Sequence, residues 1–153
     1  MDQARYMRQA LGLAGKAAQR GEVPVGALVV QVSEKGDRVL ARAHNTTESR
    51  FDPTGHAEIA ALRRAARKLG RWRLNDCALV VTLEPCAMCA GAALWARVGR
   101  IIYGAADPKA GACGSVLQVA GNRRLNHHPA IEGGVLAAEC AEILRDFFRR
   151  RRR

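Results

Sequence analysis

The seven residues Cys77 to Leu83 (Cys-Ala-Leu-Val-Val-Thr-Leu) carry no charge, and charged residues bound them on both sides. A short run of this kind, rich in β-branched residues, reads as a strand buried on both faces. Such a strand must have helices above and below it, which restricts the chain to a layered α/β architecture. At 153 residues the chain suits one domain spanning 1–153, large enough to bury a core without disulfide staples. Its five cysteines are an odd number and no secretory leader is evident, so a disulfide framework is not expected and a reducing cytoplasm is. The longest uncharged apolar stretch, about Pro85 to Ala96, is too short to span a bilayer, so no membrane partner is expected.

Around this strand the periodicities give an order of elements. Asp2 to Arg20 places Met7, Ala10, Leu11, Ala14, Ala17 and Ala18 at helical spacing, and Gly21 stops it. With Arg5, Arg8, Lys16 and Arg20 this segment could mimic a transit peptide, but it reads better as the first helix of the domain. Val23 to Val32 and Arg38 to Ala43 form a hairpin across the turn Glu34–Asp37, and His44 to Pro53 is a polar loop. A second helix from Thr54 carries Ile59, Leu62, Ala66 and Leu69 on one face and is capped by Gly70. Pro85 suits the first turn of a third helix, reaching about Arg97. Arg100 to Gly104 is a strand, Ala105 to Gly114 a loop, Ser115 to Ala120 a short helical piece and Ile131 to Val135 a weak strand. Leu136, Cys140, Ile143 and Phe147 mark a final amphipathic helix ending in the basic tail Arg149–Arg153. A strand–helix–strand unit implies parallel pairing, so the expectation is a mixed sheet with helices on both faces.

Two cysteines, Cys86 and Cys89, follow the central strand three apart, on one face of a helix start. Unpaired N–H groups and the helix dipole favour thiolates there, and paired thiolates suit zinc. His56 also opens a helix after a loop, and helix starts that follow parallel strands gather on one side of a sheet. His56, Cys86 and Cys89 are therefore the expected metal ligands, leaving a fourth position for water, as in catalytic rather than structural zinc sites. Glu58, two residues after His56, suits a general acid/base beside that water. Two alternatives stay open: a redox Cys-x-x-Cys pair, and a closed site with Cys113 as fourth ligand. Cys77 and Cys140 fall on apolar patterns and read as core.

His56-Ala57-Glu58 together with Pro85-Cys86-Ala87-Met88-Cys89 resembles the signature of the zinc nucleobase deaminases. Within them the chain is most similar to the bacterial tRNA-specific adenosine deaminases of the TadA type. Glu22-Val23-Pro24-Val25-Gly26-Ala27, Asp52-Pro53-Thr54-Gly55, Thr82-Leu83-Glu84, Gly111-Ala112-Cys113-Gly114-Ser115, Asn126-His127 and Asp146-Phe147-Phe148-Arg149 extend the likeness over most of the chain. The resemblance implies a three-layer α/β/α cytidine-deaminase-like fold around a mixed sheet of about five strands. It implies a homodimer with one Zn²⁺ per subunit, converting adenosine to inosine at the wobble position in the anticodon stem-loop of an arginine tRNA. It implies Glu58 as proton shuttle, Asn45 as the base-binding asparagine, and the backbone N–H of Ala57 beside the oxygen at the reacting carbon. Val25, Gly26, Arg149 and Phe148 would complete the substrate contacts. His44, where many relatives carry an aromatic residue, and Pro108 and Cys113, in the loop after the fourth strand, depart from the family pattern.

The charge agrees with a polyanionic partner. Lysine and arginine exceed aspartate and glutamate by +11, and Arg145–Arg153 holds six arginines against one aspartate. The helix periodicity turns one of Phe147 and Phe148 to the sheet and leaves the other free to stack on RNA. Arg63, Arg64, Arg67 and Lys68 read as a solvated face. His127 and His128 divide between core and RNA contact. A deaminase of free bases, a non-catalytic zinc module that binds RNA, and a thiol oxidoreductase are the rival functions.

Overall fold

A computed structural model of the chain describes residues 1–152; Arg153, the last arginine of the tail, lies outside the described residues. The elements run α1 (Gln3–Gln19), β1 (Gly26–Gln31), β2 (Arg38–His44), α2 (Ala57–Leu69), β3 (Cys77–Leu83), α3 (Ala87–Trp95), β4 (Arg100–Ala105), β5 (Ala130–Glu132) and α4 (Ala137–Arg151). One mixed sheet has the order β2-β1-β3-β4-β5. β1 pairs antiparallel with both β2 and β3, and β3, β4 and β5 pair in parallel. The run Cys77–Leu83 is thus the middle strand, and its alternate residues feed two cores. Leu79 and Val81 pack with Ala57 and Ala61 of α2 and Ala90 and Ala93 of α3. Ala78 and Val80 pack with Tyr6, Met7 and Ala10 of α1 and Cys140 of α4. The result is the three-layer α/β/α fold with five strands.

This topology decides where the site forms. β2 and β3 both oppose β1, so they run the same way and deliver the following helices, α2 and α3, at the same edge of the sheet. Gly26 permits the tight seat of α1 on β1, because a Cβ there would stand 2.0 Å from the Ala10 carbonyl oxygen.

Several boundaries differ from the expectations. β1 begins at Gly26 rather than Val23, since Val25 turns back to bond the Val23 carbonyl (2.9 Å). α2 begins at Ala57 because Thr54 and Gly55 are spent closing the preceding loop on Asp52 and Thr46. Its buried face is Ala57, Glu58, Ala61, Leu62 and Ala65, leaving Ile59 and Ala66 half-buried. Pro85 precedes the cap residue Cys86 instead of opening α3. Ser115–Ala120 is not helical: the N–H groups of Val116 and Leu117 both reach back to the Gly111 carbonyl, and Cys113 bridges to Gln118. β5 is only Ala130–Glu132, ended by Gly133 and Gly134. α4 buries Cys140 and Phe147 as its stripe requires, with Phe148 on the open side.

Candidate active site

His56 and Cys86 occupy the cap positions of α2 and α3, both with extended backbone, and neither side chain makes a capping hydrogen bond. The two side chains face each other instead. His56 Nδ1 lies 3.6 Å from Cys86 Sγ and 3.4 Å from Cys89 Sγ. All three ligand atoms fall within 4.8 Å of one another, and this is the one such metal-capable group among the described residues. A tetrahedral ion at about 2.3 Å from sulfur and about 2.05 Å from nitrogen would set N and S about 3.6 Å apart, so the donors fit zinc in number, softness and spacing. Two helix N-termini converge here, which favours thiolate charge. Hydrogen bonding from Cys89 and then from His56 holds the Cys86 thiol down at about 3, while sharing that proton pushes Cys89 up. The hydrogen bond with Cys86 raises His56.

Glu58 sits in the first turn of α2 at 4 % exposure. Burial pushes its carboxyl up, opposed by its own backbone N–H and by the His56 ring. It shares a cavity of about 290 Å³ with His56, Cys86, Asn45, Val25, Glu22, Glu84, Thr47, Glu48, Asp107 and Ala110. Asn45 is buried just past β2, and its Oδ1 accepts the Ala57 N–H at 2.9 Å. That N–H, expected beside a reacting oxygen, is therefore used to fix the asparagine. The bond also assigns the amide orientation, leaving the Asn45 NH₂ without a protein acceptor among the described residues. Gly26 does not line the cavity; its N–H donates to Thr82 Oγ1 (3.2 Å) beneath α1.

Arg149 and Phe148 line a second cavity, about 600 Å³, between α4 and the segment after β4. Val23, Leu83 and Asp107 belong to the walls of both cavities, so the arginine-rich helix borders the pocket that holds Glu58. Arg149 pairs with Asp146 at 3.4 Å on the surface. Cys113 stands apart from the cluster, buried, with its thiol pushed up to about 12 by burial. Cys77 and Cys140 are core residues. His44 joins the end of α1 to the pocket: Arg20 donates to its Nε2, so its Nδ1 carries the proton donated to the Asn45 carbonyl (2.9 Å). His127 bonds the Val98 carbonyl (2.7 Å), and exposed His128 the Arg123 carbonyl (3.0 Å).

Two wall residues were not foreseen from the sequence. Glu22 and Glu84 are buried at 1 % and 2 % exposure, and neither forms a salt bridge with a lysine or arginine among the described residues. Glu22 accepts the N–H groups of Glu48 (2.9 Å) and Ser49 (2.7 Å). Glu84 accepts those of Asp107 (3.1 Å), Cys113 (2.9 Å) and Ser115 (3.2 Å), and the Ser115 hydroxyl. Burial works to raise both carboxyls, and these bonds outweigh it, holding them below the ordinary glutamate value. The one available signal was an acid at the end of an apolar run, at Glu84.

Residues 1–152 match the family model described as MafB19-like deaminase. A tRNA(Ile)-lysidine synthase of Deinococcus radiodurans is 51% identical over 142 residues, 93% of this chain but 24% of that protein; the chain spans about a quarter of the length of the first curated relatives it matches. A tRNA-specific adenosine deaminase of Bacillus subtilis is 43% identical over 148 residues, 97% of this chain and 89% of that one. A solved structure from studies of A-to-I editing by tRNA:A34 deaminases at the wobble position superposes with a TM-score of 0.84 at 44% identity, covering 92% of this chain and 99% of the other.

Proposed function

The chain belongs to the MafB19-like deaminase family, and on that premise we propose that it hydrolyses adenosine to inosine at the wobble position of tRNA, with an arginine tRNA anticodon stem-loop as substrate. The observation that carries this reading is the buried Glu58 carboxyl beside the His56–Cys86–Cys89 group, in a pocket that opens toward the arginines of α4.

His56 Nδ1 and the two cysteine sulfurs would hold one Zn²⁺ per subunit; when bound, the ion supplies Lewis acidity that makes a water nucleophilic near neutral pH. The protein's own groups do the rest. Glu58 takes one proton from the attacking water and passes it to the purine ring, then takes the second from the hydroxyl left on the reacting carbon and passes it to the leaving amine, so that adenosine and water become inosine and neutral ammonia. Asn45, pinned by the Ala57 N–H, presents its NH₂ to an acceptor on the base edge, and Val25 supplies an apolar wall. An anticodon loop is single-stranded, so turning its base outward costs less than in a duplex. Arg149 and Phe148 serve the RNA next to the target, by phosphate pairing and by stacking.

Sequencing a tRNA pool before and after incubation with the zinc-loaded protein tests the assignment. Wobble adenosine should read as guanosine afterwards, while free adenosine, guanine and cytosine stay unchanged. Efficient turnover of a free base would replace the reading with that of a small-molecule deaminase. In a binding titration at several salt concentrations, a chain lacking Arg149–Arg153 should bind RNA more weakly, with a salt slope smaller by about one unit per lost phosphate contact. Unchanged affinity would return the tail to a solvated role.

The reading includes a homodimer working in the cytoplasm. No described helix is long and apolar enough to cross a membrane. Trp95, 75 % exposed at the end of α3, flanks a shallow apolar cavity with Leu94, Val119 and Leu125, a face suited to a second copy. Sedimentation should show a dimer for the native chain and a monomer for Trp95→Asp; a native monomer at micromolar concentration would reject it.

A further inference from the structure

We propose that Glu22 and Glu84 are positioning residues that set the two walls of the substrate pocket, each by clamping one loop through backbone N–H groups. The inference rests on the deaminase reading for its kinetic consequence and on geometry alone for the clamp.

Part of the pocket's lining comes from two segments without regular structure. The first, between β2 and α2, supplies Thr47 and Glu48; the second, after β4, supplies Asp107 and Ala110. Loops have many conformations, and each is held here by a carboxylate rooted beside the sheet. Glu22 reaches 26 and 27 residues along the chain to Glu48 and Ser49. Glu84 reaches 23 to 31 residues along, with one oxygen on the Asp107 N–H and the Ser115 hydroxyl and the other on the Cys113 and Ser115 N–H groups. The fit leaves no slack: a Cβ at Gly111 would lie 2.4 Å from the Glu84 carboxyl carbon.

Carboxylates are required, not merely polar groups. An ionised carboxylate only accepts, with two equivalent oxygens. A glutamine must turn its NH₂ toward one of the two sets of donors. At Glu22 that strands the Glu48 or the Ser49 N–H; at Glu84 it strands either the Cys113 and Ser115 N–H groups or the Asp107 N–H, the Ser115 hydroxyl being able to turn and accept. Neither glutamate belongs to the metal-capable group, so loosening a wall should alter how substrate is held rather than the proton transfers at Glu58.

The test uses the full-length zinc-loaded protein as wild type, Glu22→Gln, Glu84→Gln and Ser115→Ala. Steady-state kinetics on an anticodon stem-loop RNA with wobble adenosine, metal content and amide hydrogen exchange are measured on each. Both glutamine variants should keep their metal and a kcat within about twofold, with KM raised about tenfold or more. Ser115→Ala, exposed and losing one bond to Glu84, should raise KM about two- to fivefold and keeps the test alive if a glutamine variant does not fold. Exchange should quicken at Glu48 and Ser49 only in Glu22→Gln, and at Asp107, Cys113 and Ser115 only in Glu84→Gln. Unchanged KM, a loss confined to kcat, or loss of metal would overturn the proposal. A wild type inert toward RNA that still shows the two local exchange patterns would reject the deaminase reading and leave the clamp standing.

Discussion

Replacing Glu58 by alanine or glutamine is expected to cut turnover about 10²–10⁴-fold, the range a positioned general acid/base supplies, while metal content stays at the wild-type level. Metal should remain because the donor set is one imidazole nitrogen and two sulfurs, none of them from Glu58. Activity should fall because Glu58 is the acid of the pocket with its carboxyl next to that group, whereas Glu22 and Glu84 are committed to loop N–H groups. The competing explanation for a glutamate in the first turn of a helix is support of the helix dipole, worth about 0.3–1 kcal/mol. The two explanations separate on stability. A helix-start carboxylate would lower stability when removed and leave chemistry intact. A carboxyl held at 4 % exposure for chemistry carries a desolvation cost, so Glu58→Gln should unfold at the same or higher denaturant concentration while inosine formation is lost. A variant that still deaminates at near wild-type rate would refute the mechanism and favour a zinc module that only binds RNA.

The strand and the ligand group were readable in the sequence because each rests on short-range pattern. Cys77–Leu83 is apolar without a break, so its place between two layers follows from burial alone. His56 and the Cys86–Cys89 pair each follow a strand and open a helix, so parallel strands suffice to bring them together. What stayed hidden depends on long-range partners. The Ser115–Ala120 segment has helical composition, but tertiary bonds outbid the local ladder: the Gly111 carbonyl takes two of its N–H groups and Glu84 takes that of Ser115. The direction of the Ala57 N–H was hidden for the same reason, since its acceptor, Asn45, lies across a loop whose shape depends on Glu22. The apolar face of α2 was misplaced by about one position because alanines count little in a periodicity, yet Ala57, Ala61 and Ala65 are the residues that allow close approach to the sheet.

Replacing Cys86 or Cys89 by alanine should abolish both metal and turnover, and it decides among the three readings of the cysteine pair. With a ligand removed, two donors remain, too few for tight zinc binding at neutral pH, so stoichiometry should fall from about one ion per chain to near zero. The loaded protein should also lose the stabilisation that binding contributes, about 2.7 kcal/mol when free metal stands at a hundred times Kd. For a domain of this size that corresponds to a Tm lower by roughly 5–10 °C. Chelation should lower the wild-type Tm by a similar amount and leave the alanine variants unmoved. A closed four-ligand site predicts in addition that Cys113→Ala loses metal; here it should keep a full complement, because the Cys113 thiol lies outside the group and its N–H, not its sulfur, is the atom in use, on Glu84. A redox pair predicts that wild type exchanges disulfides without metal; the short reach from His56 Nδ1 to both sulfurs argues for a shared ion instead. Full zinc occupancy in Cys86→Ala and Cys89→Ala, or its loss in Cys113→Ala, would disqualify the three-ligand centre and with it the open position on which hydrolysis depends.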